Sequence, residues 1–393
     1  MNSTRLVKNQ LKAEMTEACK GFQTQEILHD SLDDIINKQF SAEGIKRVES
    51  FLFESFLRTR LQNCDSVKGL KLSFGWMIGF NKYGEISYWF RFQENENDWN
   101  EVDQTLVNTI TDESFKACTP IPSIHRISYL SSSNSYHAQT FKDKNWSYSS
   151  PLQKTLSGLL LKRRSGSIRN TEEDHFNNDR FKKASTWMKK DFFGKHIKNI
   201  SIQRRLVNCF LVPALGSQIV DLDAVILTPD GKVSCLEFKR KYPAIRMKVF
   251  GLDSHPHIKL IKHLDNYSIG IRHIILVPPD WDKNTSPLDM LKDTMGRELW
   301  HWLAVDLNLS CIGTIKMNTY GTDSGQSGEK RTQYNIEWCA VYLINEGIKL
   351  NKDGEMRLLN FLASGETKNL SNIDYKYLYD KRRQTPSKFK VQT

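Results

Sequence analysis

Asp223, Glu237 and Lys239 are the residues whose types and spacing point to chemistry. Residues 218–228 and 232–239 alternate apolar and polar positions like two strands, and Thr228-Pro229-Asp230-Gly231 between them is a tight-turn signal. A hairpin built this way brings Asp223 toward Glu237. Two carboxylates meeting across a hairpin can share an oxygen-preferring cation such as Mg²⁺, with Mn²⁺ as its substitute. Such an ion activates water and offsets charge on a phosphodiester. Lys239 lies two residues beyond Glu237 and so on the same strand face. From there its ammonium can orient or help deprotonate the attacking water and stabilise the transition state. Asp221 shares the strand face of Asp223 and is an auxiliary position. An acid followed two residues later by a base is weak alone: 45 acidic and 56 basic residues in 393 give about six by chance. The hairpin context supplies the weight, and the competing reading is an edge hairpin with a surface ion pair.

The elements that must position these residues are legible around them. Residues 171–193 read as a helix, with Thr171 as cap and Glu172, Glu173 and Asp174 in the first turn, where the helix dipole favours acids. Residues 200–210 read as a first strand, and the hairpin supplies the second and third. Residues 257–267 form a helix with Ile258, Ile261 and Leu264 along one stripe, and residues 271–277 a buried strand stopped by Pro278-Pro279. The order is α-β-β-β-α-β. The tight turn makes the second and third strands antiparallel, and the intervening helix permits a parallel fourth.

Val220-Asp221-Leu222-Asp223-Ala224-Val225-Ile226, Pro229-Asp230-Gly231 and Leu236-Glu237-Phe238-Lys239, set in that order of elements, resemble the PD-(D/E)XK nuclease superfamily over about residues 171–280. The resemblance implies an α/β fold with a restriction-endonuclease-like mixed-sheet core. It makes Asp223 the catalytic aspartate of the second core strand, and Glu237 and Lys239 the Glu-x-Lys of the third. It also implies a metal ligand in the backbone carbonyl of Phe238, a helix glutamate at Glu172 or Glu173, and a polar helix residue at His257, Lys259 or Lys262. The activity it implies is Mg²⁺-dependent endonuclease cleavage of nucleic acid, DNA foremost, in phage defence, restriction or a mobile element. The alternatives are an RNA-cleaving nuclease, or a catalytically silent nuclease-fold protein that binds DNA or recruits partners. Three intact polar groups favour cleavage.

Charge points to the same class of partner. The chain carries 56 basic and 45 acidic residues, net +11, but residues 1–150 are at −2 and residues 151–393 at +13. Residues 161–205 alone hold 13 basic and 5 acidic residues, including Lys162, Arg163, Arg164, Lys182, Lys183, Lys189 and Lys190. Basic charge gathered in one stretch suits a polyanion, most readily double-stranded DNA.

The first half reads as a separate α+β recognition or interaction domain, suited to a protein partner or a homodimer contact. Residues 41–61 form an amphipathic helix there, and residues 70–80 and 85–92 an aromatic-rich hairpin. Trp76, Tyr88, Trp89, Phe90 and Phe92 read as the buried face of a sheet before a base-stacking platform. Ser-rich residues 131–135 and 147–151 suggest a linker and a boundary near residue 150. The nuclease domain then runs over 151–393, with a β extension around residues 311–317 and 334–344 and a basic tail from Lys376. That tail mixes aromatics with bases, as a phosphate grip or as an ordinary chain end.

Other classes are disfavoured. No stretch approaches the roughly 18 apolar residues of a membrane helix, and the N-terminus reads without a secretory signal. Seven widely spaced cysteines without CxxC indicate neither a disulfide framework nor a zinc site, so the reducing cytosol is expected. His257 and His263 are six residues apart, unlike a helical zinc pair, and read as surface or DNA-facing. Residues 321–328 are Gly/Ser-rich but lack the Gly-Lys-Ser/Thr of a P-loop.

Overall fold

The computed structural model describes residues 45–63, 70–80, 87–95, 97–112, 114, 122–159, 183–184, 186–189, 191–215, 219–252, 254–282, 285–318 and 330–383. The protein is mixed α/β and divides into two compact units, residues 1–63 with 73–224, and 64–72 with 225–393.

The first unit opens with α1 (Ile45–Asn63), whose apolar Val48, Phe51, Leu52 and Phe56 are buried as the helical spacing predicts. The expected strand over residues 70–80 is two strands, β1 (Lys71–Ser73) and β2 (Trp76–Phe80), which join different sheets. Gly75 separates them at φ +86°, in the left-handed region, and a Cβ there would lie 2.7 Å from the Phe92 carbonyl oxygen. β2 pairs antiparallel with β3 (Ser87–Gln93), and Trp76, Tyr88, Trp89, Phe90 and Phe92 are all buried. They are core, as their reading had it.

Helix α2 (Glu101–Thr111) then carries the chain to β4 (Ser123–Leu130), which lies parallel to β3. Asn100 caps α2, accepting from the Val102 and Asp103 amides, while its own amide donates to Asp103 Oδ2 at 3.0 Å. The other Asp103 oxygen lies in the interior. It accepts from Trp76 Nε1 at 2.7 Å, Arg91 Nε at 2.9 Å and the Ser73 hydroxyl. Strands β5 (Ser135–Lys142), β6 (Asn145–Trp146) and β7 (Ser150–Pro151) follow, then α3 (Leu152–Leu159). The sheet runs β6-β5-β4-β3-β2, with β7 paired to β5.

Two expectations are corrected in this unit. The Ser-rich segments are not a linker: residues 131–134 turn between β4 and β5, and residues 150–151 pair with β5. Residues 200–210 are not a strand. They lie in α4 (Asp191–Leu206) and the π-helical turn Val207–Leu211 that leads to α5 (Val212–Leu215). The alternation of Ile200, Ile202, Arg204 and Leu206 misleads because α4 is buried nearly all round, with Ser201, Gln203 and Arg205 also in the interior. Its Ile202 and Leu206 meet Met77, Phe90, Ile127 and Tyr136 of the sheet, and the Tyr136 hydroxyl donates to the Ile202 carbonyl at 2.7 Å.

The run read as one strand over residues 218–228 is also two. β8 (Ile219–Leu222) closes the first unit's sheet against β2, whereas β9 (Ala224–Leu227) belongs to the second unit's sheet. The break falls at Asp223. The units therefore divide at 224/225, not near residue 150, and the order α-β-β-β-α-β does not describe this region. Charge is not gathered in one unit either: the first unit carries 29 basic and 25 acidic residues, net +4, and the second 27 basic and 20 acidic, net +7.

In the second unit β10 (Val233–Arg240) follows β9 through the expected tight turn, in which Gly231 takes φ +80° and the Thr228 amide donates to the Lys232 carbonyl at 2.9 Å. β11 (Phe250–Leu252) and α6 (Ser254–Asp265) lead to β12 (Gly270–Val277), parallel to β10 as the intervening helix permits. α7 (Pro287–Lys292), β13 (His301–Leu307), β14 (Ile312–Asn318), β15 (Lys330–Ile336), β16 (Tyr342–Glu346), α8 (Lys352–Ser364), β17 (Ser371–Asn372) and α9 (Tyr375–Lys381) complete it. The main sheet runs β1-β9-β10-β12-β13-β16-β17, and β11-β15-β14 form a second. The C-terminal aromatics are structural up to residue 383. Tyr375 and Tyr379 meet Trp281, and the Arg382 guanidinium lies 3.9 Å from the Tyr379 ring centroid.

Cys235, Cys311 and Cys339 are free thiols, whereas Cys209 is disulfide-bonded. No helix among the described residues is long and apolar enough to cross a membrane.

Candidate active site

β10 is a central strand, flanked by β9 and β12, and its residues from Val233 to Phe238 are buried. A carboxylate at such a position must be compensated. Glu237 is 3% exposed, and its compensation comes from its own strand and from α6. Lys239, next on the same strand face, places Nζ 2.7 Å from Glu237 Oε1. α6 delivers His257, whose Nε2 lies 3.2 Å from the same oxygen. Burial by itself would raise the Glu237 carboxyl. The Lys239 ammonium and the hydrogen bond with His257 outweigh it and hold the pKa down at about 2. The Lys239 side chain is 41% exposed, so the group opens toward solvent on the lysine side.

Two further residues complete this environment. His273 pairs with Glu237 in the β10–β12 register, is buried, and has no hydrogen-bond partner at Nδ1 among the described residues. Burial lowers its pKa to about 3, so the ring is neutral near pH 7. Lys241 continues the alternation of Glu237 and Lys239, and its Nζ donates to the Gly251 carbonyl. Lys239, Lys241, His257 and His273 line one cavity with the apolar Phe250 and Ile336. Sequence reasoning missed His273 and Lys241. The available signal was parity: Lys241 is two residues beyond Lys239, and His273 is an ionisable interruption in an apolar strand.

The arrangement can orient an ammonium beside an anionic substrate. An ammonium has three donors, so Lys239 can serve Glu237 and a second acceptor together. Glu237, ionised and accepting from two sides, positions both neighbours and has no proton to give near neutrality.

The remaining expected residues are placed as follows. Asp221 and Asp223 belong to the first unit. Asp221 accepts from Gln203 Nε2 at 2.8 Å and lies 3.9 Å from Arg204, both of α4. Asp223 is half-buried. Phe238 is buried within β10, opposite Ile274 of β12. Lys262 is exposed and Lys259 half-buried. His257 is not a surface histidine, and neither is His263, which packs against Tyr267 and has its pKa lowered to about 4 by burial. Lys183 and Lys189 are exposed; Glu172, Glu173, Lys162, Arg163, Arg164, Lys182 and Lys190 lie outside the described residues.

A magnesium site draws several oxygen ligands together. Glu237 is one carboxylate among cationic and imidazole neighbours, and among the described residues no group of three or more His, Cys, Asp or Glu side chains is placed to hold a metal ion.

The depressed Glu237 pKa has a pH signature. A carboxyl held below its usual 4.5 adds stability that is present above that value and is lost as pH falls toward about 2. Glu237→Gln should therefore flatten the acid side of the stability profile between about pH 4.5 and 2, read by urea unfolding at stepped pH. Parallel profiles for the two proteins would remove Glu237 as a source of the acid dependence.

No protein-family model, curated protein or solved structure matches this chain, and Glu237, Lys239 and His257 stand as the best-supported candidate centre.

Proposed function

We propose that this protein hydrolyses phosphodiester bonds in nucleic acid, DNA before RNA. The observation that carries the reading is the contact of Lys239 Nζ and His257 Nε2 with one buried, ionised Glu237 oxygen beside a cavity lined by basic side chains. An anionic substrate entering that cavity meets the Lys239 ammonium, which offsets the charge growing on the phosphoryl oxygens. The restriction-endonuclease-like core enters from the sequence pattern, supported by the β9–β10 turn and the parallel β10–β12 pair joined through α6. Mg²⁺ also enters from the sequence, through the Asp223 and Glu237 pattern.

The second reading, a silent nuclease-fold protein that binds DNA, is favoured by the lack of a three-ligand cluster among the described residues. Incubation with plasmid, linear duplex, single-stranded DNA and RNA, with and without Mg²⁺ or Mn²⁺, separates the two. Cleavage appearing only with the cation is the expected result. Binding without cleavage of any substrate at either cation would favour the silent protein.

A further inference from the structure

The sheet of the first unit has a second face. Ile127, Tyr136 and Ala138 point into the core, so Arg126, Gln139 and Phe141 point the other way. Arg126 stands opposite Gln139 and donates from Nε to its Oε1 at 2.6 Å. Phe141 stands opposite Trp146 of β6, the edge strand of the described sheet. The Phe141 and Trp146 ring centroids are 5.1 Å apart, and Trp99, from the approach to α2, meets Trp146 edge-on at 5.0 Å. The Arg126 guanidinium lies 4.6 Å from the Trp146 centroid and 5.9 Å from that of Trp99. All five side chains are half-buried, whereas Tyr148, two residues past Trp146, is 98% exposed.

Two cations, with Asp143 between them, lie at the turn that joins Phe141 to Trp146. Lys142 and Lys144 are exposed at the β5–β6 turn, where Asp143 and Lys144 both take positive φ, 50° and 62°. That is the conformation of a two-residue primed hairpin turn, here adopted without glycine.

We infer that Arg126, Trp146, Trp99 and Tyr148 form a stacking platform for single-stranded nucleic acid. A guanidinium lying over indole rings, and a tyrosine ring in solvent, offer planar surfaces on which nucleobases stack. Lys142 and Lys144 supply cations for the phosphates. A duplex hides its base faces, so the platform selects the single strand. The platform lies within the first unit and stands independently of cleavage at Glu237.

The test is fluorescence anisotropy of the full chain with a dye-labelled oligodeoxythymidylate of about 20 nucleotides and with a duplex hairpin of the same length, in EDTA so that no cleavage intervenes. Arg126→Lys keeps the charge but loses the planar group, and Tyr148→Ala removes a ring with no packing role. Each should weaken single-strand binding by about tenfold, the loss of one stacked base, and leave duplex binding within about twofold. Trp146→Ala should act in the same direction, with circular dichroism to confirm its fold. Unchanged single-strand affinity in Arg126→Lys and Tyr148→Ala would overturn the platform. Equal losses on both nucleic acids would also overturn it, since a phosphate contact would then explain the effect. Binding to phosphatidylserine vesicles that these variants abolish, with oligonucleotide binding intact, would assign the patch to a membrane surface instead.

Discussion

Glu237→Gln and Lys239→Ala should each slow DNA cleavage by about 100- to 1000-fold, the cost of removing one charge-stabilising group from a reaction centre. The two losses have different origins. Lys239→Ala removes the half-exposed ammonium that the proposed reaction turns toward the phosphate. Glu237→Gln keeps the side-chain shape but releases the anchor of both Lys239 and His257, which share its Oε1. The two losses should thus be strongly non-additive, with the double variant little slower than the slower single one. Single-turnover cleavage on one duplex gives the rates, and binding in EDTA shows whether affinity survives. Wild-type rates in both variants would sink the assignment of this centre.

Asp103→Ala should cost about 3–5 kcal/mol, the penalty for stranding a buried charge. Asp103 is fully buried and joins four groups: its Oδ1 holds Arg91, Trp76 and Ser73, and its Oδ2 holds the Asn100 amide at the start of α2. Arg91 is itself 1% exposed, and its second ion pair, to Asp98 at 3.1 Å, lies at the edge of the cluster. Removing Asp103 leaves that guanidinium with only the Asp98 carboxylate at the cluster edge and breaks the reciprocal half of the capping box at Asn100 in the same step. With total stabilities of about 5–15 kcal/mol, the change takes a large share of what holds the first unit folded. Arg91→Met with Asp103→Leu should recover much of the loss, because apolar replacement of a buried pair removes the stranded charge. Guanidinium unfolding followed by tryptophan emission, with Trp76 and Trp89 beside the cluster, measures each variant. A loss below 1 kcal/mol in Asp103→Ala would mean that water reaches the Arg91 site.

Much of this was legible in the residues. α1, the β2–β3 hairpin, β10, α6 and β12 follow from apolar periodicity and from turn residues, because each buries one regular face or is a short apolar run with clear stops. The strand period also set Glu237 and Lys239 on one side of β10, and their contact follows from it. What failed had local causes. α4 is buried around most of its circumference, so its polar Gln203 and Arg205 imitate the outward positions of a strand. The run from Ile219 to Leu227 is continuous in its alternation, and nothing local in it announces that its two halves join different sheets. The boundary near residue 150 failed because serines that suit a linker suit a hairpin turn equally well. His273 escaped notice because its place beside Glu237 is set by the β10–β12 register, which local spacing does not encode, whereas Lys241 lay within reach of the same alternation that placed Lys239.

The division of that one run between two sheets bears on how the protein can be cut apart. β2 reads Trp76-Met77-Ile78-Gly79-Phe80, is buried throughout, and is bonded on one side by β3 and on the other by β8, about 140 residues further along the chain. A fragment ending at residue 150 lacks β8, and so does any nascent chain of that length. Its β2 would present a bare row of amides and carbonyls on an apolar, uncharged strand, which is the template on which chains pair with one another. Fragments meant to isolate the amino-terminal unit should therefore be insoluble when they stop short of Leu222, and the aggregation hazard during synthesis should persist until that last strand emerges.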